Sequence, residues 1–308
     1  MFSYLNLLLY SFCFNLIMGH IVVFYRRVNL ILCFICSITF VNSQENKIKV
    51  MFAPNIGLLN NKVNWAISGD ENGQNPNYLS ELKWNNYSIQ TGITSKVNYG
   101  KLGLGVNYSH ADSKHGKAVD TDFSGDNRTN IIYQEKFSSK NSSYYKFGIR
   151  PEFRLRNNWI VSMAYNHIES KNLLNHGTNF STYTYGQDLL LVGFSWRYIH
   201  KKIIWEIGGD FITGKYLADG DWKLRTDLAH PVSFSHEIDI YGGNFSSGLE
   251  YVIDKSFCIR LDYNLNYIYG KDGKDTMYYF YNYSVGTRLK YTETINNLIS
   301  TALVYKLK

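Results

Sequence analysis

The stretch from Phe257 to Tyr269 alternates apolar and polar side chains at almost every step. Its odd-numbered positions are all aliphatic or aromatic, whereas the even-numbered ones include an arginine, an aspartate and two asparagines. Successive side chains of a β-strand point to opposite faces, so this stretch predicts a strand with one apolar and one polar face. A soluble sandwich would turn the polar face to water, and a transmembrane barrel would turn the apolar face to lipid.

Two features favour the barrel. The polar faces carry charged residues in mid-strand, such as Arg260 and Asp262, which a packed sandwich core could not hold unpaired. Short connections also alternate with long polar segments, as they do in outer-membrane barrels. The short connections are 98–101, 154–158, 200–202 and 254–255, and the long segments are about 110–130, 168–183, 215–232 and 270–296.

The predicted fold is therefore all-β: an antiparallel transmembrane β-barrel of about ten strands over residues 44–308, with long extracellular loops and short periplasmic turns. Such a barrel belongs in the bacterial outer membrane, with membrane lipid as its first partner. The expected strands are 48–60, 62–70 continuing through 78–98, 102–118, 130–150, 158–170, 183–200, 202–216, 233–253, 256–271 and 293–308.

The first 43 residues are predicted to be a targeting segment. Arg26 and Arg27 precede the apolar run Val28–Phe40, and small residues follow at a plausible cleavage point. We expect a cleaved signal peptide whose true start is Met18 or lies nearer Arg26; a membrane helix at Leu5–Tyr25 is the alternative.

Composition excludes several other classes of protein. A 16% aromatic share argues against disorder, and four cysteines are too few for a disulfide scaffold of 308 residues. Three of those cysteines lie in the targeting segment, so Cys258 alone remains and cannot build a zinc site. Without the two arginines of that segment the formal charge falls from +7 to +5, which is too weak to indicate nucleic-acid binding.

Several motifs together resemble one family. The segment Leu79–Trp84 reads LSELKW, and the following polar segment contains Asp120 and Asp122 in the sequence AVDTDF. Farther on, Gly208–Phe211 and the terminal stretch Asn297–Lys308 fall where the family has similar segments. Together these motifs resemble the omptins, ten-stranded outer-membrane proteases of Gram-negative bacteria. The resemblance extends over essentially the whole of residues 44–308.

The resemblance implies a site at the outer mouth. Omptins place two aspartates on one wall to position a water, and an Asp-x-His couple on the opposite wall supplies a base. Asp120 and Asp122 match the first pair; their i, i+2 spacing puts both on one face of an extended segment, where each carboxylate raises the pKa of the other. No Asp-x-His follows the seventh strand, although Asp221 lies near the expected position. Either His230 reaches the cleft through a rearranged loop, or the base is absent.

Three functions are compatible with these residues. The resemblance implies an endopeptidase that cleaves peptides near basic residues, without a cofactor or metal and with lipopolysaccharide as an activating lipid. A non-catalytic adhesin or structural barrel that has lost the catalytic histidine is the alternative, and its two aspartates are then simply solvated. A small channel ranks last, because four charged residues are expected to form a salt-bridge network in the lumen. They are Glu206, Asp210, Arg260 and Asp262. The oligomeric state is not readable from the sequence.

Overall fold

The computed structural model describes residues 48–156, 158–177 and 179–307, and the predicted targeting segment lies outside these ranges. The described chain consists almost entirely of strands, and no helix within it is long and apolar enough to cross a membrane. The strands are β1 (Ile48–Ile67), β2 (Ser80–Tyr99), β3 (Leu102–Gly125), β4 (Thr129–Ser138), β5 (Ser143–Arg154), β6 (Trp159–His176), β7 (Asn179–His200), β8 (Ile203–Asp221), β9 (Phe234–Val252), β10 (Phe257–Tyr278) and β11 (Ser284–Leu307).

The strands close into a ring in which all neighbours are antiparallel. Apart from β4 and β5, each strand pairs with the next along the chain, and β11 pairs with β1 to close the barrel. β4 and β5 occupy one position in the ring, because both pair with β3 on one side and with β6 on the other. The ring therefore has ten positions, and the predicted all-β transmembrane barrel is confirmed.

The strands are longer than the sequence predicts. β1 runs unbroken through the expected boundary near residue 61. β10 and β11 stay paired up to Tyr278 opposite Ser284, so five residues, 279–283, connect them where a loop over 270–296 was expected. The alternation of apolar and polar residues fades in these extensions because their outer faces meet water rather than lipid. Backbone pairing nevertheless continues, since it does not depend on the side chains.

An apolar belt surrounds the end of the barrel that carries the short turns. Large aliphatic and aromatic side chains are exposed on the outer face there, which only a lipid environment accommodates. The belt includes Phe52, Ile56, Ile93, Val97, Val106, Val192, Phe194, Phe245, Leu249, Ile259, Leu261, Ile299 and Leu303. Aromatic residues border it, among them Trp159, Tyr198, Trp205, Tyr241, Tyr251, Tyr267 and Tyr305.

Inside the belt the lumen holds paired charges. Arg260 contacts Asp262 at 2.7 Å and approaches Glu206, as predicted. Two cations outside the prediction complete these contacts: Arg197 pairs with Glu206, and Arg150 binds Asp210 through both terminal guanidinium nitrogens. Their distances are 2.6 Å for Arg197 to Glu206, and 2.8 and 3.0 Å for Arg150 to Asp210. Three of the four predicted members are therefore linked as expected, whereas Asp210 pairs with Arg150 instead.

Beyond the belt the interior changes to an aromatic core. The rings of Trp84 and Tyr183 stack with centroids 5.1 Å apart, and those of Tyr185 and Tyr216 stack at 5.2 Å. All four side chains are almost completely buried. This core fills the barrel directly below the mouth, which we define as the end formed by segments 68–79, 126–128, 222–233 and 279–283.

Candidate active site at the outer mouth

A β-bulge in β3 determines which of its side chains point inward. Tyr87 of β2 lies opposite His115 and Ser88 lies opposite Ser113, which leaves Lys114 as an extra residue. Below the bulge the buried residues of β3 are odd-numbered, among them Ser109, Ala111 and Ser113, whereas just above it Ala118 and Asp120 are buried. Bulges redirect side chains in this way. Because of this one, the even-numbered Asp120 and Asp122 lie on the inner face.

Asp120 is a buried acid with a shifted proton affinity. Asp120 is only 5% exposed, and it pairs across the sheet with Leu82 of the aromatic core. Burial and the neighbouring carboxylate of Asp122 raise the pKa of Asp120 to about 7, against hydrogen bonding from the Ser80 hydroxyl. Burial also raises the pKa of Asp122, with Ser80 and the positive charge of Arg225 opposing it. The pair can therefore retain a proton near neutral pH.

A second acid and a histidine lie beside this pair on the same inner face. Glu135 of β4 is directly opposite Asp120, and Tyr133 is opposite Asp122. The Tyr133 hydroxyl donates a hydrogen bond to Glu135 at 2.5 Å. The Nδ1 atom of His176, the last residue of β6, lies 3.2 Å from the other carboxylate oxygen of Glu135. Both members of this couple are partly exposed at the mouth.

Asp221 and His230 do form a couple, although nine positions separate them in sequence. Nδ1 of His230 and Oδ1 of Asp221 are 2.6 Å apart. The buried Ser233 holds the intervening loop: its hydroxyl accepts a hydrogen bond from the Trp222 backbone N–H at 2.9 Å and donates to the Ala229 carbonyl at 2.8 Å. This hydroxyl thus links the neighbour of Asp221 to the neighbour of His230.

Strand alternation places the Asp221–His230 couple on the outer face of the wall. In β8, Tyr216 is buried in the core and Leu217 is exposed, and this alternation continues to the strand end. Trp222 packs against Phe234 of the core, with ring centroids 5.9 Å apart. Asp221 lies between the buried Gly220 and the inward-packed Trp222, so its side chain belongs to the outer face. The structure thus brings Asp120 and Asp122 together, and Asp221 and His230 together, but on different faces.

The loop over residues 222–233 extends from β8 across the mouth toward the aspartate pair. Trp222 and Leu224 pack on the core, and the charge of Arg225 acts on Asp122 of β3. In the ring, β8 lies four positions from β3 in one direction and six in the other, so the loop spans nearly opposite walls. Within the described ranges, no three His, Cys, Asp or Glu side chains are arranged to hold a metal ion.

Sequence reasoning missed Glu135, Tyr133 and His176. His176 lies in the segment 168–183, which the sequence predicts to be a loop, and in a loop the alternation that assigns side chains to the inner or outer face does not apply. Glu135 falls on a predicted strand, but the bulge at Lys114 changes which residues of β3 share its face. The pattern Tyr133, Glu135, Phe137 is the one available signal, an alternating set that ends in a buried ring. The catalytic roles of Asp120, Asp122, Asp221 and His230 stay a prediction.

Comparison with solved structures identifies the architecture. The outer-membrane protease OmpT from Escherichia coli superposes with a TM-score of 0.68 at 11% identity, over 87% of this chain and 99% of that chain. OprG from Pseudomonas aeruginosa gives 0.34 at 9% identity, over 86% and 98%. Ail, the attachment invasion locus protein of Yersinia pestis, gives 0.30 at 10% identity, over 83% and 98%.

The likeness to OmpT shows the fold: a bacterial outer-membrane β-barrel. The outer membrane is where a barrel with this apolar belt resides, as predicted. No protein-family profile matches the chain, and no curated protein sequence does. At 11% identity the likeness to OmpT does not extend to activity, so the specific resemblance to omptins stays a prediction.

Proposed function

We propose that this barrel is a cell-surface hydrolase, an omptin-like endopeptidase that cleaves peptides at the outer mouth. The observation that carries this proposal is the pair Asp120 and Asp122, held side by side on an inner face beyond the membrane belt. About 12 residues of strand, roughly 40 Å, separate Asp120 from Tyr108, an exposed ring opposite Ile93 of the belt. The pair is therefore within reach of a substrate outside the cell.

The two carboxyl groups suit hydrolysis because they differ in proton affinity. With a pKa of about 7, Asp120 is protonated in part of the molecules at neutral pH and can donate to a peptide carbonyl. The ionised neighbour can hold the attacking water. Carboxylates at the mouth also attract cationic side chains, which supports the basic preference that the resemblance implies.

Cleavage of a quenched dibasic peptide by cells that display the protein tests this proposal. We expect Asp120→Asn to lower kcat/KM by about 100-fold or more, the usual contribution of a general acid or base. Asp112→Asn, an exposed acid on the same strand, is the matched control and should keep the parent rate. A parent rate no higher than that of cells without the protein, or full activity of Asp120→Asn, would overturn it.

A non-catalytic surface barrel is the second candidate, and one feature favours it. Four aromatic residues, Tyr279, Phe280, Tyr281 and Tyr283, form the connection between β10 and β11. Phe280 is 67% exposed and Tyr281 is 85% exposed, which is typical of rings that bind a partner. Retention of displaying cells on immobilised proteins and glycans, lost with Phe280→Ser and Tyr281→Ser while no peptide is cleaved, would support this function.

A further inference from the structure

We propose that His176, held by Glu135, is the general base that works with Asp120 in this site. The inference rests on the proposed hydrolase and assigns its base to a residue other than His230. It depends on three geometric observations: which face each side chain occupies, which groups are cross-strand partners, and which nitrogen of the imidazole remains available.

The side-chain alternation of β4 and β6 places Glu135 and His176 on the same inner face as Asp120 and Asp122. Buried positions of β6 are even-numbered, up to Leu174, so His176 continues the inner set. Its ring lies against the buried Phe137, with centroids 5.9 Å apart. Glu135 shares the face of Phe137, two residues away on β4. The four groups Asp120, Asp122, Glu135 and His176 therefore occupy one continuous inner surface.

Cross-strand pairing brings the couple close to the reacting acid. Asp120 and Glu135 are directly opposite in an antiparallel ladder, where Cα atoms are about 4.5–5.5 Å apart. The negative charge of Glu135 acts on Asp120, which shows that the two carboxyl groups interact. His176 contacts Glu135, so one carboxylate lies between the imidazole and the buried acid.

The orientation of the imidazole fits a base. The Glu135 carboxylate lies beside Nδ1, close but not aligned as a hydrogen bond, and no residue in the described part of the chain hydrogen-bonds to Nε2. A negative charge beside one ring nitrogen favours the tautomer with its proton there, which leaves the other nitrogen as the proton acceptor. The His176 side chain is 49% exposed, so a water and a peptide can reach it. His230 has a tighter carboxylate contact but lies on the outer face.

The proposed step balances as an ordinary hydrolysis. Nε2 of His176 takes one proton from a water, and the water oxygen forms a bond to the peptide carbonyl carbon. The protonated carboxyl of Asp120 donates a hydrogen bond to the carbonyl oxygen as negative charge develops there. The imidazolium then gives its proton to the leaving amine, the C–N bond breaks, and a carboxylic acid and an amine are released.

Chemical rescue distinguishes a base from a structural histidine. We compare His176→Gly, His230→Gly and Asp120→Asn in the quenched-peptide assay, each with and without added imidazole, at equal surface amounts of folded barrel. We expect His176→Gly to lower kcat by about 100-fold or more with little change in KM, and imidazole to restore part of the rate. His230→Gly should stay within about twofold of the parent.

Glu135 is a positioning residue in this scheme, and its variants give a second readout. Glu135→Gln should lower kcat, and Glu135→Asp should retain more of it, without loss of folded protein. A parent rate from His176→Gly while Asp120→Asn is inactive would overturn the inference and leave the hydrolase standing. Loss of activity in His230→Gly, rescued by imidazole, would also overturn it and assign the base to the outer couple. A parent that cleaves nothing would overturn both proposals.

Discussion

His236 and Asp275 face each other inside the barrel, with 3.1 Å between Nε2 and Oδ1. Both side chains are almost completely buried. The hydroxyl of Tyr183 lies 2.9 Å from Nδ1 of His236, and Thr287 donates a hydrogen bond to the second oxygen of Asp275 at 2.6 Å. The contact between His236 and Asp275 is electrostatic, since the two atoms are close but not aligned as a hydrogen bond. The pair is thus a polar centre within the aromatic core.

Removing one partner of this pair should be costly. Asp275→Ala removes the carboxylate that faces the buried imidazole and accepts from Thr287, and each buried polar group left without a partner costs about 1–3 kcal/mol. We expect that loss in the free energy of unfolding, measured by urea titration in detergent micelles. Glu237→Ala breaks the exposed pair with Lys215, where less than about 1 kcal/mol is expected. Similar losses in both variants would contradict the prediction.

The raised pKa of Asp120 predicts a pH dependence of stability. Between the ordinary value of 3.8 and about 7, the folded protein binds a proton that the unfolded chain has released. The contribution of this group to stability is therefore greatest below pH 4, falls as the pH rises toward 7, and is constant above that. The fall amounts to about 4 kcal/mol at most.

Urea titrations at several pH values check this dependence. Asp120→Asn should remove most of the slope between pH 4 and 7, because an amide does not titrate. Asp112→Asn carries the same chemical change at an exposed position of β3 and should retain the parent slope. A slope that persists in Asp120→Asn would assign it to other groups.

The bulge at Lys114 predicts an unusual tolerance to deletion. Removing one residue from a strand normally turns all side chains beyond it to the other face. Deleting Lys114 should instead leave a regular ladder in which Ala118 and Asp120 still point inward, because Lys114 is the extra residue. In a variant with Ala118→Cys, the buried thiol should stay unlabelled by an impermeant maleimide on intact cells.

Deletion of Lys83 is the matched control, because this exposed residue belongs to the regular ladder of β2. It should reduce the amount of folded barrel, or expose the thiol at position 118. If both deletions gave the same amount of folded barrel and the same labelling of the thiol, the bulge would not be the reason that the loss of Lys114 is tolerated.

Ser233 should control the order of the mouth loop. Ser233→Ala removes the hydroxyl that links Trp222 to Ala229 and leaves a buried N–H and a buried carbonyl without that partner. The expected cost is about 1–3 kcal/mol, so the loop should open roughly 5- to 150-fold more often. Faster trypsin cleavage at Lys223 and Arg225 on intact cells measures this opening. Ser124→Ala, an exposed serine on β3, should leave the rate unchanged.

The membrane-spanning half of this barrel could be predicted because lipid and a polar lumen impose opposite demands on alternate residues. The stripe from Phe257 to Tyr269 and the turn at 254–255 follow directly from that contrast. Beyond the belt the outer face meets water, so the contrast disappears and the strand ends near Tyr278 and Ser284 could not be located.

The candidate site could be predicted only in part for a related reason. Asp120 and Asp122 were recognisable because their spacing places both on one face whatever that face is. The contact of His176 with Glu135 depends on how β4 lies against β6, and that of His230 with Asp221 depends on a folded loop. Neither leaves a periodic signal in the chain.

The stacked rings of Trp84 and Tyr183 have a consequence for the cell as well as for the site. A barrel filled by interlocked aromatic side chains is a platform, not a passage. With its interior filled in this way, the barrel is expected to conduct little, so many copies could be displayed without weakening the permeability barrier. Whatever is bound or cut at the mouth must leave to the medium from which it came.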